Sequence, residues 1–172
     1  LLIIIQGCLY ISKLKTHNVL VQYIEAGNID GFENSFNNIS LTEDEKGYLM
    51  LKTVDAGYSY YSSYSKSWHN SINPITQIRI IQIIIDSGVD IYYANGIGQT
   101  VLHYASMTLN PELAEYLTSY DTKGKLLVIK DGVTGTPLHT LIHTISIESN
   151  ENSDIDTLIR ILSQNSEVLE MS

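Results

Sequence analysis

The sequence predicts an all-α solenoid, with short helices in antiparallel pairs stacked along one axis. Two observations carry this. GQTVLHYA at 98–105 returns as TGTPLHTL at 134–141, with Thr100 over Thr136, Leu102 over Leu138 and His103 over His139, an offset of 36 residues. Just upstream of the first copy, RIIQIIIDSGVDI at 79–91 sets Ile80, Ile81, Ile83, Ile84 and Ile85 on a broad helical stripe. Gly88 follows and supplies the left-handed backbone that ends a helix. A period of a few tens of residues marks a repeat architecture, in which each unit leaves apolar faces uncovered until a neighbour stacks on it.

Taken in order, the elements give about four helix pairs, at roughly 6–27, 47–88, 98–121 and 134–166, in a single domain. NVLVQYIEAG at 18–27 reads as a second helix ending at Gly27. KGYLMLKTV at 46–54 reads as a first helix that keeps the motif's glycine and leucine, with Lys52 where the two clear copies have histidine. TEDEKG at 42–47 is a solvated loop or a capped helix start. NPELAEYLTSYD at 110–121 is the second helix after His103, and DIDTLIRILSQNS at 154–166 the one after His139. Insertions fall at about 28–45, 55–74, 122–130 and 146–153.

This pattern resembles the ankyrin-repeat family, closely over 79–144 and loosely elsewhere. The resemblance implies two short antiparallel helices per unit with a finger loop at one end, entered through glycines such as Gly88 and Gly98. Thr100 and Thr136 would open the first helix, where a hydroxyl accepts from a free backbone N–H. Pro137 suits the first turn, and Val101 replaces it in the other copy. The resemblance gives His103 and His139 a structural role, tying neighbouring loops together through hydrogen bonds to backbone. It also implies a non-catalytic module that binds a protein partner through loop tips and the exposed side of the first helix. Carried onto the two clear copies, the partner-binding positions are Gly96, Ile97, Gln99, Met107 and Thr108, then Val133, Gly135, His143 and Thr144, with Tyr92 and Tyr93 beside them. Irregular repeats in an Ile-, Asn- and Tyr-rich chain further resemble the ankyrin proteins of poxviruses and other intracellular pathogens, which implies a host–pathogen interaction.

Composition narrows the partners. A net charge of −9, with ten scattered Lys and Arg residues, disfavours nucleic acid, which needs a cationic face. One cysteine, Cys8, excludes an intrachain disulfide and is consistent with an intracellular setting, cytoplasmic or nuclear. LLIIIQGCLYI at 1–11 is too short to span a bilayer, so no membrane association is expected within this segment, and a monomer is expected. Opening on Leu1, the chain is expected to be a piece of something longer. It then reads alternatively as a regulatory or targeting segment of a larger enzyme, membrane protein or ubiquitin-ligase adaptor.

No phosphate-binding glycine loop, dinucleotide fingerprint or nucleophile elbow is present, so no cofactor and no enzyme activity are expected. His139 and His143 have helical metal-ligand spacing but no third ligand nearby in sequence, and no metal is expected. GYSYYSSYSKSW at 57–68 follows no helix period. Its Tyr60, Tyr61, Tyr64 and Trp68, interleaved with serines, combine aromatic contact area with adaptable hydrogen bonding and form a second candidate partner site.

Overall fold

The computed structural model describes residues 18–57, 61–62, 67–68, 72–147 and 153–164. Within them the chain is all-α. A helical stretch over 18–25 (α1) is followed by α2 (Ile29–Asn37), α3 (Glu43–Asp55), α4 (Pro74–Asp86), α5 (Val101–Met107), α6 (Pro111–Tyr120), α7 (Pro137–Ile147) and α8 (Ser153–Leu162). Packing sorts them into two rows. α3, α5 and α7 stack on one another to form an inner row. α2, α4, α6 and α8 form an outer row, and α3–α4, α5–α6 and α7–α8 are the antiparallel pairs that join the two.

Local chemistry sets the helix ends. Asn73 caps α4 by accepting from Thr76 N–H at 2.9 Å, and Pro74 sits in the first turn, where its missing N–H leaves nothing unpaired. The stripe predicted there is buried through Ile80, Ile81, Ile84 and Ile85, and Gly88 closes it at φ +88°. Asn110 caps α6 in the same way, accepting from Leu113 N–H at 3.0 Å ahead of Pro111. The core runs unbroken between the rows from Leu20 and Ile24 to Leu158 and Leu162.

The sequence reading needs correcting in two places. Residues 28–45 are not an insertion. They hold α2, capped by Asn28, and the start of α3. The stretch 18–27 is therefore not the last helix of its unit: α2 follows it and packs on α4 in the outer row. IDGFENSFN is rich in poor helix formers, although Ile29, Phe32 and Phe36 recur at i, i+3 and i+7 along one face. Burial of Phe32 and Phe36, whose rings stack at 5.3 Å, overrides that propensity.

The second correction concerns the histidine position in the second unit. α3 begins at Glu43 with Thr42 as N-cap. Glu45 N–H donates to Thr42 Oγ1 at 3.2 Å, and Thr42 N–H donates to Glu45 Oε2 at 2.7 Å. Glu45 thus stands three residues past its cap, as His103 stands past Thr100, and Lys52 does not. Lys52 instead pairs with Asp55 at 2.8 Å one turn further along.

Between α3 and α4 the chain makes a two-residue antiparallel ladder, β1 (Tyr61–Ser62) with β2 (Ser67–Trp68), pairing Tyr61 with Trp68. Tyr60 and Tyr64 lie outside the described residues, and for Tyr61 and Trp68 only this backbone pairing is described. Residues 1–17, with Cys8, and 148–152 also lie outside them. The stretch 122–130 is a series of turns anchored by buried Leu126 and Leu127.

Candidate functional site: a groove between finger loops and inner helices

Two finger loops project from the inner row and are built alike. In the first, before α5, the Asn95 side chain accepts from the N–H groups of Ile97 and Gln99, and Gly98 N–H bonds Asn95 O at 2.9 Å. In the second, before α7, Asp131 takes the equivalent place, 36 residues on. Its Oδ1 accepts from the N–H groups of Val133, Thr134 and Gly135 at 3.1, 2.7 and 2.7 Å, and the Thr134 hydroxyl reaches both oxygens. Burial alone would raise this carboxyl. The donors of Gly135, Thr134 and Val133 outweigh that and hold it well below the usual carboxylate range.

Asp131→Asn removes the charge from this loop and is expected to lower stability by about 1–2 kcal/mol. A depressed carboxyl contributes fully above the unfolded value, near 3.9, and its contribution fades as pH falls through the folded value. The gap between wild type and variant in urea titrations should therefore be widest near neutrality and close below about pH 4.

The fingers are tied to each other. Gly132 N–H donates to Ile97 O at 2.8 Å, and Gln99 Nε2 donates to Asp131 Oδ2 at 3.2 Å. Gly98, at φ +87°, lies so close to the second finger that a Cβ would meet Asp131 Cα at 3.2 Å. His103 makes the third tie. It is fully buried, its Nδ1 accepts from Thr100 N–H at 3.1 Å and lies 2.9 Å from Thr100 Oγ1, and its Nε2–H donates to Gly135 O at 2.9 Å. Those partners assign the neutral tautomer with the proton on Nε2.

Inside this frame lies a groove of about 460 Å³. Tyr104, Met107 and Thr108 line it from α5, and Thr140, His143 and Thr144 from α7. Both triplets use the i, i+3, i+4 spacing of one helix face and stand 36 residues apart. Gln99, Val133 and Thr134 enter from the fingers and Asp55 from the end of α3.

Residues 76–118 match the family model described as ankyrin repeats (many copies), which covers most of α4, the first finger, α5 and most of α6. Over that stretch the chain is similar to ankyrin repeats. Ankyrin repeats are in general modules of protein–protein interaction. A search of curated proteins returned no match to this chain.

The structure brings Gln99, Met107, Thr108, Val133, His143 and Thr144 together around the groove. Ile97 and Gly96 sit exposed at the first fingertip. Gly135 supplies the carbonyl that receives His103, at φ +111°. The neighbouring tyrosines are engaged within the helical frame. Tyr92 donates to Asp121 Oδ1 at 2.8 Å with Lys125 Nζ 4.2 Å above its ring, and Tyr93 lies flat against Gly47 of α3, leaving no room for a Cβ there. Gln99 is buried and held by Asp131.

Sequence reasoning missed Asp55, Tyr104, Thr134 and Thr140. Tyr104 and Thr140 stand three residues before Met107 and His143 and could have been found from helical spacing. Asp55 could not, because its place depends on how α3 stacks beside α5. His139 caps α7 through Thr136, with 2.7 Å between its Nδ1 and Thr136 Oγ1. Among the described residues no three His, Cys, Asp or Glu side chains form a metal-binding group, and no helix is long and apolar enough to cross a membrane.

Proposed function

We propose that this chain is a non-catalytic interaction module that binds a protein partner in the groove between α5, α7 and their fingers. The observation that carries the reading is the exposure of apolar side chains on a rigidly tied frame: Met107 is 38% exposed, Val133 68% and Ile97 50%. A solvated surface gains nothing from that placement, whereas the centre of an interface does. The hydroxyls of Thr108 and Thr144, which donate to Tyr104 O and Thr140 O, keep lone pairs that can accept from the backbone N–H groups of a bound segment. With a net charge of −9, the favoured partner presents a neutral or basic surface.

Met107→Glu combined with Val133→Glu tests this. Both side chains are exposed, so the fold and melting temperature are expected to hold while affinity for the main partner falls by about 30-fold or more. Quantitative affinity capture from host-cell extract, with the wild-type chain in parallel, is the measurement. Equal recovery of the same partner by both proteins sinks the groove assignment and turns attention to residues 57–68.

A further inference from the structure

The last helix pair differs from the one before it on the face that looks away from the stack. In α5–α6, on which α7–α8 is stacked, His103, Ser106 and Ala114 are all completely buried. The matching positions in α7–α8 follow from the offset of 36 in the inner helix and from aligning LAEYLTS at 113–119 with LIRILSQ at 158–164 in the outer helix. They are His139, Ile142 and Ile159. All three are exposed, Ile142 by 56% and Ile159 by 42%. Several other aligned positions keep their burial: Ala105 and Leu141 are both fully covered, as are Leu113 and Leu158, while Leu138 is half-buried where Leu102 is fully covered.

The chemistry of that face runs against a solvated end. A repeat that closes a solenoid carries a polar outer face. Here serine gives way to isoleucine and alanine to isoleucine, so the exposed positions are more apolar than their buried counterparts. His139 repeats the capping geometry of His103, with its Nδ1 held by Thr136. That leaves its Nε2 pointing outward where His103 Nε2 donates to the carbonyl of the next finger.

We propose that the α7–α8 end face is a stacking surface that receives a further ankyrin-type helix pair, whose finger offers a backbone carbonyl to His139 Nε2 and whose apolar stripe covers Ile142 and Ile159. The occupant is argued from continuity: one pair earlier His103 makes the bond that crosses to the next unit, and Ser106 and Ala114 are fully buried in helices on which α7 and α8 pack.

The test joins a consensus ankyrin helix pair with a polar outer face after Ser172 of the full chain, through a finger loop, and compares it with the chain alone. Docking is expected to raise the melting temperature by about 5 °C or more and to slow amide exchange in α7 and α8. His139→Asn, which keeps an acceptor for the Thr136 cap but is too short to reach the next finger, should lower the melting temperature in the extended chain and hardly change it in the chain alone. Ile142→Glu with Ile159→Glu should abolish the gain. An extended chain that melts and exchanges like the original overturns the proposal, as does a gain that survives the two glutamates. Sedimentation of the 172-residue chain as a dimer that those glutamates dissociate overturns it too, because a second copy would then be the occupant.

Discussion

Replacing His103 by alanine is expected to lower stability by about 3 kcal/mol, and the melting temperature by about 6–12 °C. The imidazole is fully buried and serves three groups: the N–H and hydroxyl of Thr100 and the carbonyl of Gly135. Alanine leaves the buried Thr100 N–H and the half-buried Gly135 carbonyl without their partner, and a buried orphan costs about 1–3 kcal/mol. His103→Asn separates the two halves of the role. It retains an acceptor for Thr100, so the start of α5 survives, but it is too short to reach Gly135. Most of the loss should then appear as faster amide exchange in the second finger. Equal melting temperatures for wild type and His103→Ala would refute the structural reading of this histidine.

The same residue gives a pH signature. Burial pushes the imidazole below its ordinary value, and the Gly135 carbonyl and the Asp131 charge only partly oppose it. The fold therefore holds the neutral ring. As pH falls through the unfolded value near 6.5, the unfolded chain takes up a proton that the native state refuses, and stability declines until the lower folded value is reached. His103→Ala should remove that part of the slope between pH 7.5 and 5, measured as the urea midpoint against pH.

The second large effect is expected at Gln77, which is 1% exposed at the end of the first turn of α4. Its Nε2 donates to Thr53 O and Val54 O, both at 2.9 Å, and its Oε1 accepts from Asn110 Nδ2 at 2.7 Å. One amide thus joins the end of α3, the body of α4 and the cap of α6. Gln77→Leu keeps the volume but strips both carbonyls and the Asn110 amide of their partner, for an expected loss of about 3 kcal/mol. Gln77→Glu should be no better, because a carboxylate offers no N–H to either carbonyl. A double-mutant cycle with Asn110→Ala isolates the link between the second and third pairs, and its coupling energy is expected to exceed about 0.5 kcal/mol. Strict additivity would mean that the amide bridges nothing. Because stability in a stacked array is a sum of pair and interface contributions, loss at this junction should also separate the unfolding of 18–86 from that of 101–162.

Much of this protein was legible before any coordinates. Thr-x-Leu-His at two places, an isoleucine stripe closed by Gly88 and Pro137 at the start of its helix are local patterns, and the structure reproduces each in place. Helix periodicity needs only the chain's own geometry, so sequence carries it. Six groove residues were also reachable, because a repeat that recurs 36 residues on puts equivalent side chains on one face.

By itself, then, the sequence determined the all-α repeat class, the clear repeat pairs and the fingers with their glycines and histidine. Only tertiary structure decided the rest: that 29–37, built of poor helix formers, is a helix, that Tyr92 and Tyr93 are held within the frame, and that Asp55 joins the groove. The physical reason is common to all three. Each depends on what a neighbouring unit supplies across a stacking interface, a burial site for Phe32, a backbone flat enough at Gly47 for Tyr93, a carboxylate at Asp121 for Tyr92, and no local pattern encodes a neighbour.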